Sequence, residues 1–104
     1  MHIFAQKKIT IESGCLVGWN VTLMDRDGHN IYDLNGTHIN PNNDVYIGSN
    51  VWLCSYCSIL KGSKVGENSI VGYGAIVSND FKEGNIIVAG IPAKCVRSKV
   101  NWTI

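Results

Sequence analysis

Every sixth residue from Ile47 to Val77 is Ile, Leu or Val: Ile47, Leu53, Ile59, Val65, Val71 and Val77. Four positions after each stand Val51, Cys57, Ser63, Ser69, Ala75 and Phe81, small in all but the last case. Gly48, Gly66 and Gly72 directly follow a beat residue. An amphipathic helix repeats its apolar face at three and four, and a half-buried strand repeats at two. A beat of six fits neither. It is the pattern of a parallel β-helix, in which three short strands and three tight corners complete a triangular turn of eighteen residues. Each turn then buries its face only against its neighbours.

The beat also runs upstream through Ile11, Val17 and Leu23, with Cys15 and Val21 at the small position. Leu23 and Ile47 are twenty-four residues apart, so the phase is kept. The in-phase positions between them, His29, Asn35 and Pro41, are not aliphatic. The segment is polar and rich in turn residues, which predicts one long loop over about 25–44. A loop of that length in a small domain usually carries function. Residues one turn apart stack at about 4.8 Å, so the expected columns are Ile11–Ile47–Val65, Val17–Leu53–Val71 and Leu23–Ile59–Val77. After Phe81 the beat stops. Residues 86–89 read as a last strand, Gly90 to Lys94 as a turn, and Cys95 to Ile104 as a tail that caps the C-terminal end. At the other end, either Met1 to Ile9 or a partner must cover the first edge.

A chain of 104 residues is read as a single domain, 1–104. Its net charge of +1 gives no basic face for nucleic acid. It contains no apolar run of the ~18 residues that a membrane helix needs. Its first residues lack an apolar signal region, so a cytoplasmic location is the expectation. Cys54 and Cys57 form a C-x-x-C, but Cys57 falls on a small inward position, and no second pair or His pair completes a tetrahedral site. The cysteines are read as small buried hydrophobes, with no metal expected.

Two stretches carry a more specific pattern. One runs Val21-Thr22-Leu23-Met24-Asp25-Arg26-Asp27-Gly28-His29. The other runs from Ile47-Gly48-Ser49-Asn50-Val51-Trp52 to Val88-Ala89-Gly90-Ile91-Pro92-Ala93-Lys94. Together they resemble the hexapeptide-repeat acyltransferases, in the branch of galactoside, maltose, virginiamycin and capsular-polysaccharide O-acetyltransferases. The likeness covers about Ile11 to Arg97. It implies an all-β fold, a left-handed parallel β-helix of about three triangular turns, although parallel crossovers are otherwise right-handed. It also implies a homotrimer with acetyl-coenzyme A held between subunits and a small hydroxylated acceptor, a sugar or similar. Relatives usually carry more rungs or a helical segment in front of this region. By that comparison the chain is a truncated or minimal member, and the acceptor is not readable.

Acetyl transfer from a thioester to a hydroxyl needs a base, an oxyanion donor and a way of holding both substrates in line. The resemblance makes His29 the general base, a role suited to a group with an unperturbed pKa of about 6.5. His38 and His2 match no motif position. Asp25 and Asp27 either orient His29 or contact the acceptor, or else bond their own backbone as loop aspartates do. The resemblance points to the backbone N–H of Ser55 for the oxyanion. It points to Gly72, Tyr73, Gly74, Ser78, Asn79, Lys94 and Arg97 for coenzyme A, the last two through phosphate contacts. Tyr73 and Asn79 depart from the smaller residue and the Lys that many relatives carry there. No covalent intermediate is required. The competing readings are an inactive structural trimer, an N-acyltransferase, and a zinc carbonic anhydrase on the same fold. The three histidines lack the spacing that the last would need.

Overall fold

Three sheets, parallel but for one terminal strand, form the sides of a triangular coil in the computed structural model, which describes residues 1–104. The first sheet holds β1 (His2–Phe4), β4 (Thr22–Met24), β7 (Ser58–Ile59) and β10 (Ile76–Val77), in that order. The second holds β2 (Ile9–Ile11), β5 (Val45–Ile47), β8 (Lys64–Val65) and β11 (Asp80–Phe81). The third holds β3 (Leu16–Val17), β6 (Trp52–Leu53), β9 (Ile70–Val71), β12 (Ile86–Gly90) and β13 (Ala93–Ser98). No helix is long and apolar enough to cross a membrane.

All three expected columns are present in register. Ile11 pairs with Ile47 and Ile47 with Val65; Val17 with Leu53 and Leu53 with Val71; Leu23 with Ile59 and Ile59 with Val77. The beat residues from Leu23 to Val77 have no solvent exposure, and neither do the small residues Val51, Cys57, Ser63, Ser69 and Ala75. The coil is thus filled by two interleaved sets, one aliphatic on the strands and one small at the corners. Each fully buried aliphatic side chain stabilises the coil by about 1.5–3 kcal/mol.

The third residue after each beat supplies the corner. Asn20, Asn50 and Asn68 adopt the left-handed conformation there, as do Gly14, Gly62 and Gly74. Asn and Gly are the residues that enter this region at least cost. The seventh corner breaks the rule, with Tyr56 at φ 65°.

The sequence pattern misplaced the last turn and one residue. The turn expected over Gly90 to Lys94 is confined to Ile91 and Pro92, and Ala93–Ser98 is strand β13, not turn and tail. Phe81 was expected at a small corner position, but it pairs with Val65 and extends the Ile11–Ile47–Val65 column. Val65 and Phe81 are sixteen residues apart rather than eighteen, so the last partial turn is shortened and the beat cannot show it.

The ends differ. At the C-terminal end β12 turns into β13 and the two pair antiparallel, which closes the third sheet with an added strand. The tail then runs back along the outside, where the Trp102 indole N–H donates to the Asn50 carbonyl at 2.7 Å and the ring lies 6.0 Å from Trp52. At the N-terminal end β1 adds one strand beside β4, with Ile3 over Leu23, and its residues stay exposed.

Candidate functional site

The loop joins β4 to β5 and spans residues 25–44. Its outer half is a small hairpin. Ile39 N–H donates to the Ile31 carbonyl, Asp33 N–H to the Thr37 carbonyl, and the Asp33 carboxylate accepts the N–H groups of Asn35 and Thr37. At its root the Asp25 carbonyl accepts the Asn43 N–H, which brings the loop back to the coil.

Asp25 is shut off from solvent. One carboxylate oxygen accepts the Gln6 N–H at 2.9 Å and the other accepts the Lys7 N–H at 2.6 Å. Burial works to raise its pKa, but the N–H groups of Gln6, Lys7 and Lys8 outweigh it and hold the carboxyl below its ordinary value. Asp25 therefore ties the β1–β2 connection to the root of the loop. Asp27 accepts a 2.7 Å bond from the Lys61 ammonium and a 3.0 Å bond from the Asn40 amide, and both lower its pKa. Neither aspartate bonds to His29.

Asn40 is the buckle of the loop, and it is buried among exposed neighbours. Its amide N–H₂ donates to the His29 carbonyl at 2.8 Å and to Asp27, while its amide oxygen accepts the Ile31 N–H. Lys61 adds a 3.1 Å bond to the Pro41 carbonyl. The backbone of His29 is thus fixed from inside the loop while its ring stays exposed on the wall of a polar pocket of about 150 Å³. Gln6, Arg26, Asn30, His38 and Asn42 share that wall.

Asn40, Lys61, Arg26 and His38 were not singled out from the sequence. Lys61 could have been. The column that pairs Leu23 with Ile59 places Lys61 beside Asp25, two residues on in each strand. His38 matches no motif, yet the hairpin brings it to the pocket of His29, with its ring 5.6 Å from Tyr32. Asn40 lies off any periodic pattern and had no signal beyond turn composition.

The other expected site residues lie elsewhere on the chain. Ser55, Tyr73 and Gly74 meet at the corner between the third and first sheets. The Ser55 hydroxyl accepts the Trp19 N–H at 2.8 Å, the Ser55 carbonyl accepts the Gly74 N–H, and the Ser55 N–H has no acceptor within the chain. A side chain at Gly18 would come within 2.6 Å of the Ser55 nitrogen, so a residue without Cβ is needed for the rungs to meet there. Gly72 packs against Ala89, and the exposed Tyr73 ring lies 5.4 Å from Tyr56. Ser78 and Asn79 are exposed after β10, and Lys94 and Arg97 are exposed on β13. None of these residues lines the His29 pocket. One chain alone therefore does not bring its two sets of expected residues together.

The cysteines match the buried reading only in part: Cys57 is buried and Cys15 and Cys54 half-buried, but Cys95 is exposed on β13, outside the beat. Cys57 is buried, and desolvation, helped by the neighbouring Cys54, pushes its thiol pKa up to about 12. Cys54 is raised in the same direction by burial. Thiols held protonated in this way are poor nucleophiles and poor ligands.

Residues 44–79 match the bacterial transferase hexapeptide family, described by six repeats. The chain is 34% identical over 94 residues to a galactoside O-acetyltransferase of Escherichia coli K12, covering 86% of this chain and 43% of that protein. Among solved structures, the polySia-specific acetyltransferase NeuO superposes with a TM-score of 0.92 at 35% identity, over 98% of this chain and 48% of that one. A galactoside acetyltransferase in complex with coenzyme A gives a TM-score of 0.80 at 29% identity, over 93% of this chain and 48% of that one. The chain thus spans about half the length of the relatives it matches. The coil has their fold, a left-handed parallel β-helix.

Proposed function

We propose, from the bacterial transferase hexapeptide repeat over residues 44–79 as premise, that the chain is an acetyl-coenzyme A-dependent O-acetyltransferase acting on a sugar or similar hydroxylated acceptor. The observation that carries this is His29: its backbone is locked by Asn40 and its ring is free on a polar pocket, on a coil that superposes on a galactoside acetyltransferase holding coenzyme A. In this reading His29 takes the proton from the acceptor hydroxyl as its oxygen attacks the thioester carbon. The Ser55 N–H, which has no partner in the chain, donates to the oxyanion that forms. The carbon–sulfur bond then breaks, and the imidazolium returns its proton to the departing thiolate, so no group on the chain is acylated. Gly72, Tyr73, Gly74, Ser78 and Asn79 line the path of the pantetheine arm, and Lys94 and Arg97 meet the phosphates.

The separation of the His29 pocket from Ser55 and Tyr73 supports a site built from two copies of the chain. The outer face of the third sheet supports the same reading. Its outward column, Leu16, Trp52, Ile70 and Ile87, is apolar over four rungs, where the second sheet shows Thr10, Tyr46, Lys64 and Asp80. An exposed apolar stripe marks an interaction surface, and three copies closed about an axis would cover it on each.

Thiol release from acetyl-coenzyme A in the presence of a galactoside or a sialic acid glycoside tests the function. His29→Ala should lose a factor on the order of 10² to 10⁴ in rate while the mass in solution stays that of a trimer. A trimeric His29→Ala protein that acetylates as fast as the parent would remove His29 from the mechanism. Tyr73 is the feature that favours the rival, an inactive structural trimer. Calorimetric titration with coenzyme A separates the two, since a chain that gives no heat at millimolar ligand has no donor site.

A further inference from the structure

Arg26 shares the wall of the His29 pocket but has no partner. Its guanidinium makes no hydrogen bond and no ion pair in the chain, and its Nε–H is buried without an acceptor. An arginine has five donors and stays charged at any working pH. The Nε–H is closed off from the pocket, but the two terminal N–H₂ groups are also without a partner in the chain and are not buried, so they are what a ligand in the pocket can meet.

The carboxylates nearby are already engaged. Asp25 is held on the Gln6 and Lys7 amides, Asp27 on Lys61 and Asn40, Asp33 on the Asn35 and Thr37 amides, and Asp44 faces Lys7 at 3.6 Å. The other side chains lining the pocket, from Gln6, His29, Asn30, His38 and Asn42, are neutral or can only add positive charge. The pocket therefore presents one unpaired cation next to the ring we read as the base, and its one carboxylate, Asp27, is already neutralised by Lys61. A neutral sugar would leave that cation unpaired. A carboxylate or phosphate would fit its fork with two parallel bonds.

We infer that the His29 pocket takes an acceptor carrying an anionic group close to the hydroxyl that is acetylated, with Arg26 gripping that group. The inference rests on the acetyltransferase reading for the hydroxyl, but not for the anion. At about 150 Å³ the pocket is smaller than the ~300–1,000 Å³ of a complete ligand site. It suits the charged edge of one ring, with the rest of the acceptor lying outside it. Arg26 is then a specificity residue that fixes which hydroxyl reaches His29.

The test pairs ligands that differ only in charge. The methyl glycoside of N-acetylneuraminic acid is compared with its methyl ester, and glucose 6-phosphate with glucose. Binding to the intact protein is read by calorimetry and turnover by thiol release from acetyl-coenzyme A. The acid or the phosphate should bind at least 10-fold tighter than its neutral partner, a preference of the size that charged hydrogen bonds give. The two pairs tell a carboxylate site from a phosphate site. Arg26→Gln should erase the preference and leave the affinity for the neutral partner and for coenzyme A unchanged. Equal binding of charged and neutral partners overturns the inference, as does absence of binding by all four. It is also overturned if Arg26→Gln weakens coenzyme A rather than the acceptor, because the cation would then belong to the donor. A charge preference lost in Arg26→Gln but with no thiol release keeps the anion site and removes the acetyltransferase reading.

Discussion

The coil and the loop of residues 25–44 are held by opposite means. In the coil, fifteen buried hydrophobic residues share one cluster, and each beat residue stacks on others of its kind. In the loop nearly every side chain is exposed, and only Asp25 and Asn40 are buried. The coil spreads its stability over many similar contacts. The loop concentrates its shape in a few polar ones. The proposed chemistry depends on the loop, so a substitution should strike either stability or activity according to the region it enters.

The largest expected effect is in the coil. Leu53→Ala removes a side chain stacked between Val17 and Val71, with no surface route by which the gap can be relieved. It should cost about 2–5 kcal/mol, the range for buried Leu→Ala changes. Urea unfolding measures this, and the catalytic rate of whatever fraction remains folded should be near that of the parent. A midpoint that does not move would mean the columns are not what holds the coil.

Asn40→Asp reverses the pattern. The amide oxygen that accepts from Ile31 is kept, but the donors to Asp27 and to the His29 carbonyl are lost, and two carboxylates now face each other. The His29 ring should shift from its place, and a displacement on the order of 1 Å can cost 10²-fold in rate. The expectation is a fall of that order in kcat, an unchanged KM for acetyl-coenzyme A, and an unfolding midpoint close to the parent's. A parallel loss of thermal stability would show that Asn40 serves the fold and not the placing of His29.

These two residues also show what the sequence could and could not tell. Leu53 is legible because it repeats: its burial, its strand and its partner Val71 follow from a spacing of eighteen, and its partner Val17 from twice that spacing, the loop taking up the difference. Ser55 and Tyr73 are placed at one corner by the same rule. The loop has no period, so the sequence marks where the coil is interrupted and names His29 by its motif, but not what holds it. Asn40 acts through contacts with Asp27, His29 and Ile31, none of them in its register, and such contacts are set by tertiary geometry alone. Phe81 failed for the opposite reason. It lies where the turn shortens from eighteen to sixteen residues, and a strict beat cannot register its own end.

A smaller effect separates the root of the loop from its tip. Asp25 is buried, which alone would raise its pKa, but the amides of Gln6, Lys7 and Lys8 keep it below the ordinary 3.8. A group whose pKa is lower folded than unfolded binds fewer protons in the folded state, so stability falls as pH falls. Its contribution should be complete above about pH 5 and be lost progressively as pH falls through 3.8 and below. Asp27, lowered by Lys61 and Asn40, adds to the same acid limb. Thermal unfolding followed from about pH 5 down to about pH 3 should show a falling midpoint, with a shallower fall in Asp25→Asn. Equal slopes in the two proteins would show that the Asp25 carboxylate contributes nothing as an anion.

The smallest expected effect lies where the coil itself departs from its rule. At six of the seven corners the left-handed residue is Gly or Asn, and at the seventh it is Tyr56, at φ 65°. A non-glycine residue in this region costs roughly 1–2 kcal/mol, and the Tyr56 ring repays little of it inside the core, since it is exposed and packs on the equally exposed Tyr73. Tyr56→Asn should therefore stabilise the coil, by about 1 kcal/mol at most, which equilibrium unfolding can resolve. The same change uncovers Tyr73 beside the free Ser55 N–H. If the two rings border the path of the acyl donor, KM for acetyl-coenzyme A should move in the same variant that gains stability. A gain in stability with unchanged kinetics would place the aromatic pair outside the site, and no gain at all would mean that the Tyr56–Tyr73 contact offsets the backbone cost in full.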